Sequence, residues 1–152
     1  MSAPFVKEKL VRFHHCDPAG IVFYPQYFVL FHELIEDWFN EGLEINYAKF
    51  VSDQKLGVPT VHIEADFFAP SAIGDLLTMT LAVRRIGGSS IALSLGAYAG
   101  NAARLKIEQT VVLFSLAQRK SLPIPDVMRE GLNEYCVADR PNGELADVLN
   151  TR

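Results

Sequence analysis

Between His14 and Tyr27 the chain reads HHCDPAGIVFYPQY. Asp17 opens an Asp-Pro-Ala-Gly stretch that suits a type I turn, with Asp first, Pro second and Gly fourth. Ile21-Val22-Phe23 then runs into what reads as the start of a helix at Tyr24-Pro25. A carboxylate near the positive, donor-rich end of a helix fits attack on an activated carbonyl. The carboxylate acts on the carbon or on a water, and free N–H groups at the helix start take the developing oxyanion. Attack on carbon would form a covalent acyl intermediate; action on water would be general-base catalysis. The residue types leave both routes open, and beside them stands a plain turn-forming role for Asp17.

Other residues that could do chemistry are sparse. His14, His15 and Cys16 precede Asp17, but four consecutive residues cannot all face one ion and no second ligand cluster exists, so no metal site is expected. At a strand end, one histidine would face the core and the other a pocket. His15 could then touch a substrate, tune Asp17, or be a satisfied structural histidine. His32 and Glu33 fall two turns into the helix, where a polar pair needs partners or a cavity. His62, Glu64 and Asp66 alternate on one strand face and read as solvated or interfacial. Arg84 and Arg85 point to opposite faces of their strand. With Arg104 and Lys106 they could form a modest phosphate patch, against a reading as ordinary surface charge. Phe23, Phe28, Phe31, Phe67, Phe68 and Trp38 are core by default, and some could line a pocket.

The elements that must position these residues follow from the hydrophobic pattern. Residues 5–13 read as a first strand, with Val11 and Phe13 on one face. Tyr24 to about Glu41 reads as one long helix, with Pro25 at its first position and Gly42 as a left-handed cap. Tyr27, Phe31, Leu34, Ile35 and Trp38 recur at helical spacing, and Phe28 and Phe39 widen the stripe until the helix needs enclosure. Residues 61–69, 75–86, 89–99 and 104–116 alternate as strands. Gly87-Gly88 and Gly100-Asn101 read as hairpin turns of positive φ. A short helix near 126–135 follows Pro123 and Pro125. The expected class is α+β, a curved antiparallel sheet wrapped around one long central helix. The expected domain spans residues 1–136, with a polar tail at 137–152.

Composition bounds the partners. In 152 residues, 49% hydrophobic content supports a real core without disulfide staples. Fourteen Lys+Arg against 18 Asp+Glu argue against sequence-independent nucleic-acid binding. Cys16 and Cys136 form no framework, and the N-terminus carries no long apolar segment. A cytoplasmic protein with no membrane span is expected.

The stretch CDPAGIVFYPQYF resembles the start of the 4-hydroxybenzoyl-CoA thioesterase family, hotdog-fold acyl-CoA thioesterases. EADFFAPSAIGDLLTMTLAV, residues 64–83, is similar to that family's second and third strands, and the likeness extends over about residues 6–120. The resemblance implies a hotdog fold and hydrolysis of an acyl thioester to a free acid and coenzyme A. It implies that Asp17 is the catalytic carboxylate and that the backbone N–H of Tyr24 is the oxyanion donor. His15, Gly20, Val22, Phe23, Arg84, Arg85, Ser89 and Ser90 are the expected substrate contacts. It also implies a homodimer, usually paired into a homotetramer, with active sites at subunit interfaces. No cofactor is expected beyond the coenzyme A of the substrate. Two departures stand out. The family's hydroxybenzoyl members carry a basic run where this chain has Ile86-Gly87-Gly88-Ser89-Ser90, and His14 and His15 are not the family's usual residues. Two other functions fit the pattern: a hotdog hydratase or dehydratase, which needs a proton-shuttling histidine near the thioester, and a non-catalytic acyl-thioester binding module.

Overall fold

The computed structural model describes residues 2–137; most of the expected tail, 138–152, lies outside the described residues. The chain runs β1 (Phe5–Leu10), α1 (Tyr24–Asp37), α2 (Tyr47–Ser52), β2 (Leu56–Gly57), β3 (Thr60–Phe67), β4 (Leu76–Ile86), β5 (Ser90–Ala99), β6 (Ala102–Val112), β7 (Phe114–Ser115), β8 (Lys120–Ser121) and α3 (Asp126–Asn133). The main sheet has the order β1-β4-β5-β6-β3, and every pairing in it is antiparallel. β2, β7 and β8 make a small second sheet.

Alternation in the strands sets the layering. Leu77, Met79, Leu81 and Val83 of β4, Ile91, Leu93, Leu95 and Ala97 of β5, and Leu105 and Ile107 of β6 are all buried. α1 lays Tyr27, Leu30, Phe31, Leu34 and Ile35 on that face. Each large apolar side chain so buried contributes about 1.5–3 kcal/mol, far more than helix propensity does. Tertiary burial therefore fixes where α1 sits. The helix is not enclosed all round within the chain, as the width of its apolar stripe led one to expect. Val29, His32, Glu33 and Asn40 are exposed on its far face.

Several local expectations are corrected. The first strand ends at Leu10, not residue 13: the Val11 N–H still bonds the Asp75 carbonyl at 2.8 Å in the register of the ladder, but the Asp75 N–H turns to the Ala72 carbonyl at 3.0 Å and the pairing stops there. Val11 is buried, while Phe13 is 83% exposed on a short 3-10 turn, Phe13–His15. Pro25 occupies the second helical position rather than the first. Beyond Asp37 the helix continues through one π turn, Trp38–Gly42, closed by the Leu43 N–H on the Trp38 carbonyl at 2.8 Å. Gly42 is not a left-handed cap; the positive φ falls on Glu44, at 56°. Gly42 is needed for room instead, since a Cβ there would meet the Tyr135 hydroxyl at 2.7 Å and Trp38 Cδ1 at 2.8 Å. Gly100 does take the positive φ of a tight turn, whereas Gly87 and Gly88 do not.

On the outer face of the sheet Tyr98 lies across Gly96 and is only 2% exposed. Among the described residues no helix is long and apolar enough to cross a membrane.

Candidate active site

The Asp17 loop is a miniature hairpin. The Gly20 N–H donates to the Asp17 carbonyl at 2.9 Å, which closes the expected turn, and Gly20 takes φ 78°. The Asp17 N–H donates to the Ile21 carbonyl at 2.9 Å, and Cys16 bridges to Val22. One carboxylate oxygen of Asp17, Oδ1, accepts the Ala19 N–H at 2.9 Å. That bond fixes the orientation of the half-buried carboxylate and leaves Oδ2 without a partner among the described residues.

The same hairpin delivers the start of α1. The Phe23 N–H donates to the His15 carbonyl at 3.0 Å, which makes Phe23 the N-cap residue and Tyr24 the first helical residue. Of the first three helical positions, Pro25 has no N–H and the Gln26 N–H bonds the Phe23 carbonyl at 2.8 Å. The Tyr24 N–H is thus the donor left free, at the positive end of a 14-residue helix. The Tyr24 ring itself is 60% exposed. It packs edge-on against Phe23 and Phe67, with centroids 5.5 and 6.4 Å apart. Phe67, at the end of β3, also meets Tyr27 at 6.1 Å.

A support that the sequence did not reveal lies behind this loop. Ser71 is fully buried, and its Oγ accepts the Tyr27 hydroxyl at 2.8 Å. Its carbonyl accepts the Val22 N–H at 2.8 Å, and Ile21 bridges to Ala72. The Arg104 guanidinium donates to the Pro70 carbonyl and lies 3.2 Å from Asp75 Oδ2, which also accepts the Ala72 N–H at 2.8 Å. A buried serine after a Phe-Phe-Ala-Pro run carries no signal of its own, so only the fold shows that it joins α1 to the Asp17 loop.

The remaining expected residues divide. Gly20, Val22 and Phe23 lie in the loop with Asp17 and Tyr24. His15 is 4% exposed, beneath the loop, with Nδ1 accepting the Arg12 N–H at 2.9 Å. Burial holds its imidazole below the usual histidine range, with neighbouring His14 and Arg12 adding to that and Glu33 opposing it. His14 is exposed. Arg84, Arg85, Ser89 and Ser90 sit at the far end of β4 and its turn, roughly 30 Å along the strand from the loop at ~3.3 Å per residue. Within one chain they do not join Asp17 and Tyr24. Arg84 is engaged by Glu108 at 2.7 Å, and Arg104 is held at the loop end, so the four bases do not form one patch. His32 pairs with Glu36 at 3.4 Å, and Glu33 with Lys9 at 3.7 Å. His62 and Glu64, 3.2 Å apart, stand on the exposed β3. No cluster of three metal-ligating side chains occurs among the described residues.

The sheet wrapped on one long helix, with a carboxylate turn delivering the helix start, defines a hotdog-fold protein. Residues 11–132 match the thioesterase-like superfamily, and the chain belongs to that family. A relative from Synechocystis sp., a 1,4-dihydroxy-2-naphthoyl-CoA hydrolase, is 26% identical over 139 residues, covering 90% of this chain and 98% of its own. A solved thioesterase-superfamily structure from Jannaschia sp. superposes with TM-score 0.81 at 26% identity, covering 89% of this chain and 94% of that one. The structure of a gentisyl-coenzyme A thioesterase superposes with TM-score 0.77 at 25% identity, covering 84% and 99%.

Proposed function

We propose that this chain hydrolyses an aryl-CoA thioester to the free acid and coenzyme A. One observation carries the reading. A single hairpin holds a carboxylate with one oxygen anchored and the other free, and the same hairpin ends on the unpaired Tyr24 N–H. In one route Asp17 Oδ2 adds to the thioester carbonyl, the oxyanion is held by the Tyr24 N–H, and the coenzyme A thiolate leaves. Water then cleaves the mixed anhydride and restores the carboxylate. In the other, Asp17 takes a proton from a water that adds to the same carbonyl. A thiolate is a good leaving group, so neither route needs a strong general acid, and no cofactor enters the proposal beyond the coenzyme A of the substrate. Relatives that act on dihydroxynaphthoyl and gentisyl thioesters support an aryl group. So do Phe23, Tyr24 and Phe67, three aromatic rings grouped at the helix start.

The working unit in this proposal is a homodimer or homotetramer. The edge strand β3 leaves Val61, Ile63 and Phe67 exposed, and Phe67 touches the site. Pairing of two β3 edges would cover these side chains and complete the site with residues of the second copy. Two cysteines without a disulfide fit a cytoplasmic setting. The hydratase reading needs a histidine placed to move a proton at the thioester. His15 is 4% exposed beneath the loop and His32 pairs with Glu36 on the far face of α1, which supports the hydrolase reading over it.

The test is hydrolysis of aryl, short-chain and long-chain acyl-CoA thioesters by the wild-type protein and Asp17→Asn. An aryl substrate hydrolysed by the wild type and slowed about a hundredfold or more in the variant is expected. Turnover that survives the substitution would leave Asp17 a turn residue. Tight binding without turnover would make the protein a binding module.

A further inference from the structure

His15 stands where the family resemblance leads one to expect another residue, and its contacts form a chain that ends at the oxyanion donor. Its Nδ1 accepts the Arg12 N–H at 2.9 Å, and its own N–H donates to the Arg12 carbonyl at 3.0 Å. These two bonds lock residues 12–15 into one turn. The turn aims the His15 carbonyl at the Phe23 N–H, 3.0 Å away. Phe23 is the N-cap of α1, and the next N–H is the free donor of Tyr24. We propose that His15 is a positioning residue for the oxyanion donor, setting the Tyr24 N–H through the Arg12–His15 turn only while Nδ1 is unprotonated.

This rests on the thioesterase reading above, but the latch itself is a matter of hydrogen-bond geometry. An imidazole nitrogen that accepts a bond from a backbone N–H must carry a lone pair, so the proton of the neutral ring sits on Nε2. Protonation of Nδ1 would set two donors against each other at 2.9 Å. The turn would then open, and the His15 carbonyl would lose its line to Phe23. The titratable and charged groups that face the ring are His14, with ring centroids 4.0 Å apart, Arg12 on the same turn, and Glu33 on α1, itself paired with Lys9 of β1. Of these only Glu33 favours the protonated ring, and burial opposes it. The neutral latch is therefore the resting form above the ordinary histidine value of 6.5.

Asn is the discriminating replacement. Its Oδ1 can take the place of Nδ1 as acceptor, and it does not titrate. Wild type, His15→Asn and His15→Ala are compared by kcat and KM against pH, and by hydrogen-exchange protection of the Arg12 and Phe23 amides. His15→Ala should lose about tenfold in kcat, the equivalent of one hydrogen bond's worth of geometry, with KM within about twofold. Its Arg12 and Phe23 amides should lose protection. His15→Asn should recover most of the rate and protection lost in His15→Ala at pH 8, and keep what it has to lower pH than the wild type does. Identical acid limbs for wild type and His15→Asn would overturn the proposal, as would full Phe23 protection in His15→Ala. If no thioester is hydrolysed by the wild type, the function proposal fails, while the protection measurements still decide the latch.

Discussion

Removal of the Ser71 hydroxyl should cost more than removal of the Tyr27 hydroxyl, and removal of both should cost less than the sum. Ser71 Oγ is fully buried and accepts the Tyr27 hydroxyl at 2.8 Å, with Arg104 Nη1 a weaker neighbour at 3.4 Å. Ser71→Ala leaves the buried Tyr27 hydroxyl without its partner, a cost of about 1–3 kcal/mol. Tyr27→Phe removes the donor but leaves Ser71 Oγ beside the Arg104 guanidinium, so about 1 kcal/mol is expected. In the double variant nothing is left unpaired, which brings the coupling to about 1 kcal/mol in a double-mutant cycle. Urea unfolding of the four proteins measures it, and for a domain of this size each kcal/mol should shift Tm by about 2–4 °C. Because Ser71 also takes the Val22 N–H through its carbonyl, the backbone of the Asp17 loop stays anchored in all four, and KM should change little. Strict additivity within 0.3 kcal/mol would refute the pairing as a stabilising contact.

Tyr24→Phe should change kcat by less than about twofold, because the proposed donor is the backbone N–H and the ring is exposed; a loss comparable to Asp17→Asn would mean that the hydroxyl takes part. Gly96→Ala should destabilise by about 1–3 kcal/mol in urea, since a Cβ would meet Tyr98 Cε2 at 2.7 Å and Thr80 Oγ1 at 3.1 Å in a packed layer. Ile63→Glu should turn the proposed oligomer into monomer by light scattering, by placing charge on the exposed edge of β3. In urea unfolding, wild type should lose stability relative to His15→Asn as pH falls below 6.5. The unfolded chain then takes up a proton that the buried folded ring resists, so stability present at neutral pH is lost on acidification.

Strands β4 and β5 were legible because a period-two pattern with one buried face admits one register. Leu77 to Val83 and Ile91 to Ala97 show it in the chain itself. α1 was legible for the same reason at helical spacing, and the Asp17 turn because Asp, Pro and Gly each have a local backbone preference. What escaped depends on partners far along the chain. β1 stops at Leu10 because its partner turns away there, the Asp75 N–H bonding the Ala72 carbonyl instead of continuing the ladder. Gly42 is required by Tyr135, which arrives from the C-terminal segment after α3. Arg84 faces Glu108 across an intervening strand, a pairing that only the register of β4, β5 and β6 reveals. Ser71 is the same case at the candidate site: its role is made by Tyr27 and Arg104, and neither lies near it in sequence.

The proposed chemistry draws on side-chain identity at one position only. Asp17 supplies its carboxylate, but its orientation comes from the Ala19 N–H, and the oxyanion donor is a backbone N–H whose direction is set by the Phe23 N–H on the His15 carbonyl. Backbone groups tolerate change in the side chains around them. Phe23, Tyr24 and Phe67, which surround that donor, are therefore free to set which acyl group fits without disturbing how it is activated. His15 is the exception within the loop. It reaches the backbone through a side chain that titrates, so in the proposed latch pH enters the donor's geometry through its Nδ1.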